Sequence, residues 1–318
     1  MLGTCLQNVR EKGPLVHNIT NYVTVNDVAN VILACGASPI MSDEPQDVQD
    51  ITAICGGLNI NIGTLNVRTI EGMLAAGHKA NELIKVLEEK KIIYNKTEYD
   101  NFLILEKVKN IENMQEFKEG YFTIQDISAG QTAKILNPQP GENVLDACSA
   151  PGGKTTYMAE LMKNNGKIEA WDIHEHRTKL VEKNAKRLGI NIIDTKVKDA
   201  TVYDENLNEK YDKILLDVPC LGIGVIKRKP DIKWQRKKED VEEITKIQKQ
   251  ILNNCSKYLK KGGNIVYSTC SILCAENEKI IQGFLEKNEN FEIVENTEIC
   301  IFPDMEKDGF FICKMHKK

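Results

Sequence analysis

From residue 143 onward, short apolar runs alternate with longer amphipathic stretches, and no other feature restricts the fold as much. Residues 143–147, 167–173, 191–197, 213–218 and 264–269 read as strands. Residues 154–163, 177–188, 239–259 and 275–287 read as helices; in the third of these, Val241, Ile244, Ile251, Cys255 and Leu259 form one apolar stripe. Gly189 and the pair Gly262-Gly263 sit where helix ends are expected. Residues 309–315 read as a last strand. Regular strand–helix repetition predicts a parallel, doubly wound α/β sheet, whose ligands lie beyond the carboxyl ends of the strands.

The front of the chain has a different character. Residues 1–84 carry four basic and eight acidic residues and only two lysines, whereas the remainder is lysine-rich and electrically balanced. This shift marks a boundary near residues 83–85. Within the front part, Ala37-Ser38-Pro39 reads as a break, 58–62 as a strand, and 67–76 and 79–83 as helices, again an α/β pattern. Residues 85–130 read as a small α/β piece, with 86–93 a helix leading into a strand, 102–108 a strand or short helix, and 122–124 a strand. No window reaches the ~18 apolar residues of a membrane span. The first 14 residues lack a signal-peptide core. A cytoplasmic protein with no membrane partner is expected. The ten cysteines include no CxxC pair, and Cys270 and Cys274 have no second pair to complete a zinc site. Neither a disulfide framework nor a metal centre is expected.

The first strand of the alternating region runs into Asp146-Ala147-Cys148-Ser149-Ala150-Pro151-Gly152-Gly153-Lys154-Thr155. The glycines let backbone approach a ligand, and the following helix offers free N–H groups. A phosphate-binding P-loop would need glycine where Cys148 stands. Asp172 ends the second strand, where a carboxylate accepts ribose hydroxyls. Asp199 follows the third, where a side chain meets an adenine edge. The set fits a nucleoside-bearing cofactor, with NAD and S-adenosylmethionine both compatible.

Two neighbouring strands end in cysteine: Leu215-Leu216-Asp217-Val218-Pro219-Cys220 and Tyr267-Ser268-Thr269-Cys270-Ser271. Both thiols are expected to face the crevice of the cofactor loop. Taken together, DACSAPGGKTT from Asp146, WDIHEHR from Trp171, LLDVPCLGIGVIKRKPDIKW from Leu215, YSTCS from Tyr267 and DGFF from Asp308 occur in the order found in bacterial Sun/Fmu-type small-subunit ribosomal RNA cytosine-5 methyltransferases. Residues 131–318 resemble that family's catalytic domain. The resemblance implies a Rossmann-like class I S-adenosylmethionine methyltransferase fold and ribosomal RNA as partner. It implies that Cys270 adds to cytosine C6, that Cys220 assists release, that Asp217 bonds the cytosine edge, and that Lys154 supports this network. It further implies that Cys148, Ser149, Ala150, Pro151, Gly152, Gly153, Lys154, Asp172, Asp199 and Asp217 line the S-adenosylmethionine site. A thiolate at Cys270 needs nearby positive charge or donors, and Lys154 is the candidate.

Lys227, Arg228, Lys229, Lys233, Trp234 and Arg236, with Lys237 and Lys238 beyond, form a basic run with one aromatic. Such residues neutralise phosphates and stack a splayed base, so they are the expected RNA contacts. DNA cytosine-5 methyltransferases are a second reading. They use the cysteine after Pro as nucleophile, usually followed by Gln, whereas Leu221 follows Cys220 and Cys270 ends a second strand.

Residues 1–84 resemble another family, the N-terminal part of hydroxyethylthiazole kinase, a ribokinase-like fold. The matching stretches are PLVHNITNYV from Pro14, GASPIMS from Gly36, INIGTL from Ile60 and AAGHKANEL from Ala75. That resemblance implies a thiazole contact at Met41. The nucleotide-binding part of such a kinase would follow residue 83, where the sequence changes instead. Residues 85–130 resemble the tail of the methyltransferases' small recognition domain. The chain thus reads as incomplete parts of two families joined near residue 84. The alternative function is a kinase fragment fused to a methyltransferase domain that binds cofactor without catalysis.

Overall fold

A computed structural model describes residues 15–19, 32, 38–41, 57–60, 87–97, 102–105, 108, 110–304 and 307–318. The chain divides into two compact units, Met1–Lys109 and Asn110–Lys318. In the first, β1 (Leu15–Ile19), β2 (Ser38–Met41) and β3 (Gly57–Ile60) form a parallel sheet in the order β2-β1-β3. Ser38 and Pro39, expected as part of a break, lie inside β2. Pro39 cannot donate to a ladder, and among the described residues β2 is an edge strand of this sheet, where that is tolerated. A separate antiparallel pair joins β4 (Tyr94–Lys96) to β5 (Leu103–Leu105). The helices expected at 67–76 and 79–83 lie outside the described residues.

The second unit holds an eight-stranded sheet. Its strands are β6 (Asn143–Asp146), β7 (Lys167–Asp172), β8 (Ile193–Val197), β9 (Tyr211–Asp217), β10 (Leu259–Thr269), β11 (Phe291–Ile293), β12 (Ile299–Ile301) and β13 (Phe310–Lys317). The order is β11-β13-β10-β9-β6-β7-β8, with β12 also paired to β13. Strands β6 to β10 are parallel, as the alternation predicts. The sheet as a whole is mixed, because β13 runs antiparallel to β10, β11 and β12. An antiparallel neighbour needs only a short connection, whereas a parallel one needs a crossover.

Val144, Leu145, Ile214, Leu215, Leu216, Ile265 and Val266 are fully buried, as expected of strands covered on both faces. The connecting helices are α1 (Ile127–Leu136), α2 (Gly153–Leu161), α3 (Glu175–Arg187), α4 (Lys238–Tyr258) and α5 (Glu278–Leu285). Helix α4 buries Ile251, Leu252, Cys255 and Tyr258 in a core shared with Trp171, Tyr267 and Phe311. Each such large side chain contributes on the order of 1.5–3 kcal/mol. No helix among the described residues is long and apolar enough to cross a membrane.

Two local expectations are corrected. Gly262-Gly263 does not end α4. The helix stops at Tyr258 because Leu259 is already extended, and the glycines sit within β10 where its register shifts against β9. Gly262 takes φ +78°, and a Cβ on Gly263 would come 2.8 Å from the Asp212 carbonyl oxygen. Residues 122–124 form no strand. The Arg187 guanidinium donates to the carbonyls of Phe117 at 2.7 Å and Phe122 at 2.9 Å and stacks 3.9 Å above the Phe117 ring. A side chain thus takes backbone acceptors that a strand would have offered to a neighbour.

Candidate active site

Parallel strands β6, β7, β9 and β10 carry Asp146, Asp172, Asp217 and Thr269 at their carboxyl ends, so the turns that follow open at one edge of the sheet. The turn after β6 is fixed from below. The Ser149 backbone N–H and hydroxyl both donate to the Trp171 carbonyl, at 2.8 and 2.9 Å. From the side, Arg177 donates to the Ala150 carbonyl at 3.0 Å and Asn184 to the Pro151 carbonyl at 3.0 Å. Gly152 has φ +104°, and a Cβ there would stand 3.1 Å from Val181 Cα of α3. Glycine is therefore needed at 152 for its backbone angle and for helix packing. Gly153 and Lys154 then open α2.

Asp146 is buried. Thr155 donates to its Oδ2 at 2.7 Å, but its Oδ1 has no hydrogen-bond partner. Burial pushes this carboxyl up to about 7. Asp172 accepts from the His174 N–H at 3.0 Å and pairs with Arg177 at 3.1 Å. Arg177 was not expected as a site residue, although it closes the WDIHEHR stretch. It ties Asp172 to the Ala150 carbonyl. The Lys198 N–H bonds the Asp172 carbonyl, and exposed Asp199 lies on the rim of a cleft of about 720 Å³ with Val202 and Tyr203. An orphaned buried carboxylate oxygen, a helix start and an acidic rim fit a nucleoside-bearing cofactor.

Across from that turn, Lys154 and Asp217 form an ion pair at 2.7 Å, with 16% and 26% of their side chains exposed. Ser268, paired with Asp217 across β9 and β10, donates to its Oδ1 at 2.9 Å. The Lys154 ammonium also stands 5.2 Å from the Phe310 ring centre. Burial works against the lysine's charge, but Asp217 outweighs it and leaves its pKa raised.

The sulfurs of Cys220 and Cys270 are 3.1 Å apart. The shared hydrogen bond favours the Cys270 thiolate, burial and the Asp217 charge oppose it, and Lys154 adds to it; the Cys270 pKa is lowered. The Cys220 thiol is raised well above the ordinary range, by the same hydrogen bond and then by burial. The hydrogen bond, with Lys154 on the Cys270 side, thus favours ionisation at Cys270 over Cys220. Burial raises the Cys148 thiol, in the turn after β6, well above its ordinary pKa.

The basic run is less uniform than its sequence. Arg228 bonds Asp308 at 2.9 Å and Asp126 at 2.5 Å, joining the segment after β9 to the start of β13 and the N-terminus of α1. Arg236 donates to the Leu221 carbonyl at 3.2 Å, and Lys227 to the Asp304 carbonyl at 3.3 Å. Lys229 and Lys233 are exposed, and Trp234 is 87% exposed. Met41 ends β2 in the other unit, and its side chain lies outside the described residues.

Residues 133–316 match the family model for the 16S rRNA methyltransferase RsmB/F. The chain belongs to the RsmB/F family. Ahead of that match, residues 6–87 match the model of the hydroxyethylthiazole kinase family. Among curated RsmB/F relatives, the probable ribosomal RNA small subunit methyltransferase B of Bacillus subtilis is 42% identical over 64% of this chain and 49% of its own length. The ribosomal RNA small subunit methyltransferase B of Proteus mirabilis is 38% identical over 76% of this chain and 57% of its own. The chain thus spans about half the length of the curated relatives it matches. Among solved structures, a methyltransferase homologue from Pyrococcus horikoshii superposes with TM-score 0.64 at 31% identity, covering 76% of this chain and 84% of that one. NSun6 from the same organism, solved with SFG, gives TM-score 0.59 at 31% identity, covering 66% and 56%.

Proposed function

We propose that this RsmB/F-family chain methylates cytosine C5 in small-subunit ribosomal RNA through a covalent Cys270–C6 adduct. The observation that carries this reading is the Cys220–Cys270 sulfur pair beside the Lys154–Asp217 ion pair. Cytosine C5 is a weak nucleophile. Addition of the Cys270 thiolate to C6 moves the C5=C6 electron pair onto C5, which then attacks a methyl group. S-adenosylmethionine, when bound, supplies that methyl on a sulfonium and leaves as S-adenosylhomocysteine. The C5 proton then departs to solvent water, its electron pair re-forms C5=C6, and Cys270 leaves as thiolate. The Cys220 thiol is the donor that meets the departing sulfur. Asp217 accepts from the cytosine edge, and Lys154 and Ser268 hold its carboxylate in place. Residues 148–154 cradle the cofactor, Asp172 takes its ribose and Asp199 its adenine edge.

On this reading residues 131–318 are the catalytic domain, 85–130 a remnant of an RNA-recognition domain, and 1–84 a kinase-like fragment in which Met41 has no part in methyl transfer. Transfer of labelled methyl from S-adenosylmethionine to a small-subunit ribosomal RNA transcript, followed by nucleoside digestion, should yield 5-methylcytosine. Label on duplex DNA instead, or on another atom of the base, would refute the proposal.

The exposed Lys229, Lys233 and Trp234 make the RNA contact in this scheme. Replacing both lysines by Ala should weaken RNA binding and flatten the plot of log affinity against log salt by about 1.4, at roughly 0.7 per phosphate contact on single strands. Arg228→Ala should instead lower the unfolding midpoint, because Arg228 is bound to Asp126 and Asp308. Equal salt slopes for wild type and the double variant would remove the two lysines from the interface.

A further inference from the structure

We propose that Glu276 is a positioning residue for the thiol pair: its buried carboxylate ties the Cys220 segment to the Cys270 segment and thereby sets the spacing of the two sulfurs. Glu276 lies in the turn between β10 and α5 and is completely buried. Its Oε2 accepts from the Leu221 N–H at 3.0 Å, the residue directly after Cys220. The same oxygen accepts from Gln248 Nε2 at 3.0 Å. Gln248, equally buried on α4, also donates to the Pro219 carbonyl at 3.0 Å, the residue directly before Cys220. The other oxygen, Oε1, accepts from the Ser271 hydroxyl at 2.6 Å, the residue directly after Cys270. One carboxylate therefore touches both cysteine-bearing segments, and its amide partner completes the grip on the first.

The neighbouring residue repeats the device on the Cys270 side alone. Asn277 accepts from the Thr269 hydroxyl at 2.6 Å and donates to the Ser271 carbonyl at 2.9 Å, bracketing Cys270. All three donors to the Glu276 carboxylate are uncharged. A buried anion held in this way is costly unless every bond is kept, so the arrangement has little freedom to shift. The Glu276 charge also opposes ionisation of Cys220, after the hydrogen bond and burial already named, and so helps keep the proton on Cys220.

The proposal rests on the reading of Cys220 as hydrogen-bond donor to a Cys270 thiolate. Its test is the rate of Cys270 alkylation by iodoacetamide as a function of pH, read by peptide mass on the full chain. This needs neither RNA nor turnover. Cys220→Ala should raise the Cys270 midpoint by roughly one pH unit, the scale of one lost hydrogen bond to a charged group. Glu276→Gln should raise it in the same direction, because the amide cannot accept all three donors, and Glu276→Asp should recover part of the shift. In the double variant the two effects should not add, since both act on one contact. A wild-type midpoint in Glu276→Gln alongside a shifted one in Cys220→Ala overturns the positioning role alone. An unshifted midpoint in Cys220→Ala overturns the thiol pairing and the proposal with it. Should Glu276→Gln fail to fold, Gln248→Met removes one bond to Glu276 and one to Pro219. A raised midpoint there supports the proposal, and an unchanged one overturns it.

Discussion

Cys270→Ala is expected to lower methyl transfer to RNA on the order of 10⁴-fold or more, while S-adenosylmethionine binding stays within about twofold of wild type. Cys220→Ala should behave differently, although its sulfur is only 3.1 Å away. It keeps the nucleophile but removes the donor that meets the departing sulfur. It should therefore accumulate a covalent protein–RNA species, visible as a retarded band on a denaturing gel and as the summed mass. The double variant should form no adduct. If Cys220→Ala trapped nothing while Cys270→Ala did, the two roles would have to be exchanged. The proposed assignment rests on the Lys154 charge, which favours a thiolate at Cys270.

The second large effect concerns the charge pair beside the sulfurs. The Cys270 thiolate fraction rises with pH through its lowered pKa, so activity should rise through the same range. Lys154→Met removes a positive charge that favours the thiolate, and the rising limb should move to higher pH. Asp217→Asn removes a negative charge that opposes it, and the limb should move to lower pH. Both variants should also lose rate on the plateau, by about 10²–10³-fold, since each breaks the 2.7 Å pair and Asp217 is the proposed cytosine contact. Opposite pH shifts with a shared loss of rate separate electrostatic tuning from general damage. Limbs that moved in the same direction would refute the assignment of charge to Cys270.

Much of this site was legible before any coordinates. Asp172, Asp217, Cys220 and Cys270 all lie at or just beyond strand ends, and period and residue type locate strand ends well. Lys154 was visible because it opens a helix after a glycine turn. Glu276 was not legible. It sits among acidic and amide residues that read as a solvent-facing helix start, and only the meeting of β9, α4 and β10 buries it. For Arg228 the sequence shows only part of its surroundings. Its neighbours suggest a phosphate contact, but the carboxylates that hold it are about 100 and 80 residues distant in sequence. Pro39 and Gly262 were read as breaks because local preference says so, and pairing in a sheet overrode it. The antiparallel direction of β13 carries no local signature, since residues 309–315 look the same in either orientation.

The place of β13 has a consequence for how the protein is made. Strand β10 is flanked on one side by β9 and on the other by β13, whose residues leave the ribosome after those of every other strand in the sheet. Phe310, which stands against the Lys154 ammonium, arrives with it. During synthesis, at roughly 5–20 residues per second, the nascent chain presents an unpaired β10 edge until residues 310–317 dock. A polypeptide cut short before residue 310 would thus carry both cysteines while leaving one edge of β10 without its β13 partner.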